Sequence, residues 1–128
     1  MARPETWLKV TPKGLFCAPG DFYVDPHSAV ERAIITHGHA DHARPGHGKV
    51  LATAETLAIN ALRMGEKSAR EAQALAYGET IRIGEVDVRL APAGHVLGSA
   101  QVVMEYAGQR VVVSGDYKRR TDPTCTAF

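Results

Sequence analysis

Hydrophobic and polar positions alternate in short runs along most of the chain. Trp7-Leu8-Lys9-Val10 and Leu15-Phe16-Cys17 flank the turn signal Pro12-Lys13-Gly14 and predict an antiparallel hairpin. Phe22-Tyr23-Val24 predicts a third strand, ended at Asp25-Pro26 because proline cannot donate to a ladder. Ser28 to Arg32 predicts a helical turn capped by Ser28. Ala33-Ile34-Ile35, a short apolar run, predicts a buried strand, and the proline- and glycine-rich stretch Ala43 to Gly48 reads as loop, which leaves His47 ambiguous. Lys49 to Ala52 predicts another strand. Thr53 is placed as the N-cap of a helix from Ala54 to Met64, ended by Gly65, with Leu57, Ala58, Ala61, Leu62 and Met64 forming its core-facing stripe. Ser68 to Leu75 reads as a further helix. From Thr80 the period falls to two. Ile81-Arg82-Ile83 and Val86 to Leu90 predict a hairpin across Gly84-Glu85. Gln101 to Tyr106 and Arg110 to Val113 predict another across Ala107-Gly108, running into Ser114-Gly115-Asp116. Pro92 to Ser99 is the loop between the hairpins.

Composition narrows the class without naming a function. At 128 residues, 45% hydrophobic and 23% charged, the chain has the make-up of one ordinary globular domain. The formal net charge of +1 argues neither for nor against a nucleic-acid partner, and the basic cluster Lys118-Arg119-Arg120 reads as a solvated turn. Cys17 and Cys125 lie far apart and form no metal-binding pair or disulfide framework, which fits a reducing, cytoplasmic setting. No apolar run reaches the roughly 18 residues of a membrane span, so no membrane association is expected.

Candidate chemistry concentrates in Thr36-His37-Gly38-His39-Ala40-Asp41-His42. In an extended segment alternate side chains share a face, so His37 and His39 can reach one cation from the same side. Asp41 keeps that parity and His42 breaks it. The backbone must therefore turn around Ala40-Asp41, which lets Asp41 and His42 address a second cation beside the first. Imidazole and carboxylate are the ligands of catalytic zinc centres, whereas structural zinc needs more thiolate than this chain has. A histidine-rich tract can equally be a solvated loop, but the strand Ala33 to Ile35 delivers this one at its C-terminal end, where sites of layered α/β folds sit. His95 in a glycine-flanked loop and Asp116 after a valine-rich strand share the same chemistry. Asp25, at a strand end just ahead of the histidines, is either a turn residue or a support for them.

The order HxHxDH (residues 37–42), GHVLGS (94–99) and SGDY (114–117) resembles the metallo-β-lactamase superfamily. GHVLGSAQ and SGDYK look most like its β-CASP branch, which includes nucleases of DNA repair and of RNA 3′-end processing. Thr11-Pro12-Lys13-Gly14-Leu15, Gly20 to Pro26 and Asp41 to His47 are similar to bacterial ligase-associated DNA exonucleases, over nearly the whole chain. The resemblance implies an α/β fold, the metallo-β-lactamase-like αββα sandwich, of which residues 1–128 supply the N-terminal part, without the C-terminal half or the β-CASP cap. It implies that His37, His39 and His95 hold one zinc, Asp41 and His42 the second, that Asp116 bridges both, and that Asp25 supports the histidines. Manganese suits the same N and O ligands. The implied reaction is hydrolysis of a phosphodiester, with Asp41 and Asp116 as the carboxylates able to take a proton from water. The implied substrate is nucleic acid, DNA ahead of RNA, and the family association adds a DNA ligase and a helicase as partners. The rival readings are an RNA 3′-end processing nuclease, a small-molecule ester or thioester hydrolase of the same fold, and a metal-binding fragment without turnover. One sheet is expected to leave an edge or an apolar face open.

Overall fold

In the computed structural model, which describes residues 3–65, 68–116 and 126, strands form two stacked sheets and one long helix lies outside them. A one-turn helix α1 (Pro4–Trp7) leads into β1 (Leu8–Thr11), β2 (Gly14–Cys17), β3 (Phe22–Val24), β4 (Arg32–Ile34) and β5 (His47–Ala52). Helix α2 (Ala54–Met64) precedes β6 (Ala69–Ala74), and β7 (Thr80–Ile83), β8 (Val86–Pro92), β9 (Ala100–Tyr106) and β10 (Gln109–Val113) follow. Strands β1 to β6 make a six-stranded sheet in sequence order, antiparallel as far as β3 and parallel from β3 to β6. Strands β7 to β10 make an antiparallel four-stranded sheet.

Alternation decides which way each strand faces. On β4 and β5, Ile34 and Leu51 point between the sheets, where they join Trp7, Phe22, Val88, Leu90, Val102 and Met104 in the main core. Their neighbours Ala33, Ile35, Val50 and Ala52 point the other way, under α2, with Leu57 and Met64 packed against them. Central parallel strands buried on both faces read as continuous apolar runs, which is why Ala33-Ile34-Ile35 was legible as a strand. The open face of the four-stranded sheet carries Arg82, Asp87, Arg89, Glu105 and Arg110 across its pairs, so it is largely polar. The exposed large apolar residues Val10, Leu62, Leu97 and Val112 are scattered, and they build no apolar face. Among the described residues no helix is long and apolar enough to cross a membrane.

Both predicted hairpins, the first strand pair and α2 with its Thr53 cap and Gly65 stop appear as the sequence pattern predicts. Three readings are corrected. Ala69–Ala74 is a strand and not a helix: its Ala, Arg, Glu and Gln are helix formers, but the parallel ladder to β5 overrides that local preference. Ser28 to Arg32 is not a helical turn, because the carbonyls of Val30 and Glu31 accept from Gly48 N and Lys49 N at 2.9 and 2.7 Å and are drawn into the sheet. On α2 the assigned stripe is not the buried one. Ala58, Ala61 and Leu62 are exposed, Leu57 and Met64 half-buried, and the buried residues are Thr56 and Asn60. Tyr117, Lys118-Arg119-Arg120 and Cys125 lie outside the described residues.

Candidate metal centre

Three chain segments meet at one end of the sandwich. The first leaves β4 at Ile35, carries Thr36 and His37, and turns at Ala40 to His42, where His42 N and Ala43 N donate to His39 O at 3.0 and 2.8 Å. The second joins β8 to β9 and holds His95. Ser99 shapes it, its Oγ accepting from His95 N at 3.0 Å and Val96 N at 3.2 Å. The third follows β10 and ends in Asp116. Ala100 N donates to Thr36 O at 2.8 Å, tying the first two segments together across the sheets.

His37, His39, His95 and Asp116 each place one donor atom within 4.8 Å of the others. His95 Nε2 lies 3.2 Å from His39 Nδ1, and Asp116 Oδ2 lies 3.6 Å from both His37 Nε2 and His95 Nε2. Donors held about 2.0–2.1 Å from a tetrahedral zinc stand roughly 3.3–3.4 Å apart, so these separations suit one shared cation. His37 Nε2 is buried with no hydrogen-bond partner among the described residues, an arrangement a cation would satisfy. Asp116 Oδ2 also lies 3.5 Å from His42 Nε2, which is itself 3.5 Å from Asp41 Oδ2. His42 Nε2 therefore has both carboxylates near it, Asp116 from the first group and Asp41. His37 is fully buried, His42 and His95 are partly covered, and Asp41 and Asp116 are 72% and 48% exposed, so the cluster opens to solvent on its carboxylate side.

Asp25 turns its carboxylate inward from a left-handed backbone at φ 44°. Its Oδ1 accepts from Thr36 N at 2.8 Å, and its Oδ2 accepts from Thr36 Oγ1 at 2.6 Å and from His42 Nδ1 at 2.7 Å. Proton accounting then fixes both rings. Thr36 has one hydroxyl hydrogen, and an ionised carboxylate only accepts, so Thr36 Oγ1 must receive Nδ1–H of His37 at 3.0 Å. His37 and His42 both keep Nδ1–H, which leaves Nε2, the atom facing Asp116, as the nitrogen each has for a cation. Asp25 is within reach of His37 and His42 for direct ligation, but its oxygens are committed to these three donors. Burial, helped by the neighbouring His42, lowers the pKa of His37 to about 4, so it is neutral at pH 7. The hydrogen bond to Asp25 raises the pKa of His42 above the ordinary value, so a cation at its Nε2 competes with a proton.

His47 lies elsewhere, buried at the start of β5, with Nδ1 accepting from Val30 N at 3.2 Å. Cys17 is a buried core residue whose thiol burial pushes up to about 11. Two supports had escaped the sequence reading: the Thr36 hydroxyl and Ser99 Oγ. A serine closing a glycine-flanked loop and able to cap its amides was the available signal for Ser99.

No protein-family model matches the chain. It is similar to a probable DNA ligase of Opitutus terrae, 32% identical over 109 residues that make up 84% of this chain and 10% of that protein. It is also similar to a ribonuclease of Thermus thermophilus, 33% identical over 123 residues, 77% of this chain and 28% of that one. The chain thus spans less than a third of either relative. Among solved structures, a metallo-β-lactamase of Cronobacter sakazakii superposes with a TM-score of 0.55 over 82% of this chain and 53% of the other, at 15% identity, which establishes a shared fold.

Proposed function

We propose that this chain, which shares the metallo-β-lactamase fold, belongs to the metallo-β-lactamase superfamily and is part of a two-metal phosphodiester hydrolase acting on DNA. The observation that carries the proposal is the convergence of three histidine nitrogens and Asp116 Oδ2 at ligand-like separations. In this reading His37, His39 and His95 hold one cation, Asp41 and His42 a second, and Asp116 serves both. Zinc is the proposed metal, and manganese fits the same donors. Bound there, a pair of cations supplies Lewis acidity to the phosphate and to the attacking water. Asp25, acting through Thr36 on His37 and directly on His42, holds both rings in the ligating tautomer. Asp41, the most exposed carboxylate of the cluster, is placed to accept a proton from water, and Asp116 shares that capacity.

DNA is preferred because the similarity to a DNA ligase agrees with the motif resemblance to ligase-associated exonucleases. That reading makes the complete protein a DNA exonuclease of ligase-dependent repair, with a ligase and a helicase as its partners. The similarity to a ribonuclease supports a second reading, in which the same centre processes RNA 3′ ends. Digestion of end-labelled single- and double-stranded DNA and RNA, with chelation and metal-replacement controls, separates them. The complete protein is expected to shorten DNA from an end, and Asp116→Ala to abolish cleavage with its circular dichroism unchanged. Preferential cleavage of RNA would overturn the DNA reading. Turnover of esters or thioesters without nuclease activity, or undiminished cleavage by Asp116→Ala, would overturn the mechanism.

A further inference from the structure

Helix α2 buries polar side chains beside the apolar Leu57 and Met64 that it packs on the sheet. Leu62 is 89% exposed, while Thr56 and Asn60 are buried. A helix serving only as a lid over the sheet would do the reverse. Thr53, Thr56, Asn60 and Arg63 recur at steps of three and four, so they share one face. At the N-terminal end of that face, Gly98 O accepts from Thr53 Oγ1 at 2.7 Å and from Thr56 Oγ1 at 3.1 Å. Gly98 belongs to the segment that carries His95. At the C-terminal end, Arg63 Nε donates to Gly38 O at 3.0 Å and Arg63 Nη2 to Ala43 O at 2.8 Å. Those two carbonyls bracket His39, Asp41 and His42. The guanidinium fork therefore pins both ends of the histidine turn at once.

Both segments also meet the helix through a glycine. A Cβ on Gly38 would stand 2.6 Å from Ile59 Cγ2, and one on Gly98, at φ +78°, would stand 2.7 Å from Glu55 Cβ and Thr53 Oγ1. No side chain fits between the helix and either loop. We propose that α2 is a strut whose polar face, with Arg63 at one end and Thr53 and Thr56 at the other, sets the separation of the His37–His42 turn from the His95 loop. Ten residues of helix between Thr53 and Arg63 span about 15 Å, a rigid length. Arg63, Thr53 and Thr56 are positioning residues; they touch no ligand atom. The inference rests on the reading of the cluster as a metal centre.

Zinc and cobalt titrations of the chain test it, using competition with a chromophoric chelator, the cobalt d–d spectrum and the melting temperature in chelator. Arg63 is exposed, so Arg63→Gln leaves no buried hole. Its metal affinity is expected to fall about 10- to 100-fold, as for other residues that orient ligands, with a shifted cobalt spectrum and little change in metal-free melting. Thr56→Ala should lose affinity similarly and Thr56→Ser recover most of it, while Leu62→Ala binds as the parent does. Parent-like affinity and an unchanged cobalt spectrum in Arg63→Gln would overturn the strut and leave the metal centre standing. A parent chain that binds neither ion would overturn the metal centre and the strut with it. If Thr56→Ala fails to fold, Arg63→Gln against Leu62→Ala still decides.

Discussion

At the residue scale, burial and pairing act in opposite directions on two histidines at opposite ends of the parallel strands. His42 gains a carboxylate partner, so its charged form is favoured. His47 gains only burial, which lowers its pKa, and its Nδ1 must stay unprotonated to accept from Val30 N. A histidine depressed in the folded state contributes stability that is complete above its unfolded value of 6.5 and is lost as pH falls below it. Chelator-treated chain should therefore lose stability from about pH 6.5 downward, with His47 contributing up to roughly 1.4 kcal/mol per pH unit within its window. Urea melts of the parent and His47→Asn across pH 5 to about 7.5 would check this, the variant having the shallower dependence. His42 carries the opposite sign, its contribution being present below 6.5 and lost as pH rises through its raised value. Of the candidate site, His37, His39, Asp41 and His42 stood out because they crowd into six positions with strand parity. Thr36 and Ser99 did not, since one hydroxyl in a loop looks like any other until its partners are placed.

At the scale of elements, the strands with alternating or continuous apolar runs were readable, and β6, at one edge of the six-stranded sheet, was not. Strands β7 to β10 bury one face against the main core and show it as period two. Strand β6 has all but one of its residues exposed, so no hydrophobic pattern marked it, and only pairing with β5 makes it a strand. The caps of helix α2 mark it in the sequence but its face is harder to read, because Thr56 and Asn60, which hold or face the loops, share the inward side with Leu57 and Met64. Two substitutions of the same kind measure the difference. Leu90 is fully buried between the sheets, and Leu90→Ala should cost about 2–5 kcal/mol in chemical denaturation. Leu62→Ala, in the outward position taken from periodicity as core, should change stability by no more than about 0.5 kcal/mol. Equal losses at the two positions would contradict the orientation of α2.

Across the whole molecule, two sheets of different hydrogen-bonding type deliver three segments to one end: from β4 in the mostly parallel sheet, and from β8 and β10 in the antiparallel one. No one element contains the site, and the layering that stacks the sheets also assembles it. The sequence motifs identified the parts; the Ala100 N to Thr36 O bond and the glycine contacts with α2 belong to tertiary packing, beyond the reach of any local pattern. The central claim is that His37, His39 and His95 converge on one cation shared with Asp116. Crystals of the zinc-loaded chain, with anomalous scattering at the zinc edge, test it most directly. The predicted result is a peak about 2.0–2.1 Å from His37 Nε2, His39 Nδ1 and His95 Nε2, with Asp116 Oδ2 completing the site. A zinc bound elsewhere, or His95 turned away from the other two histidines, would contradict it.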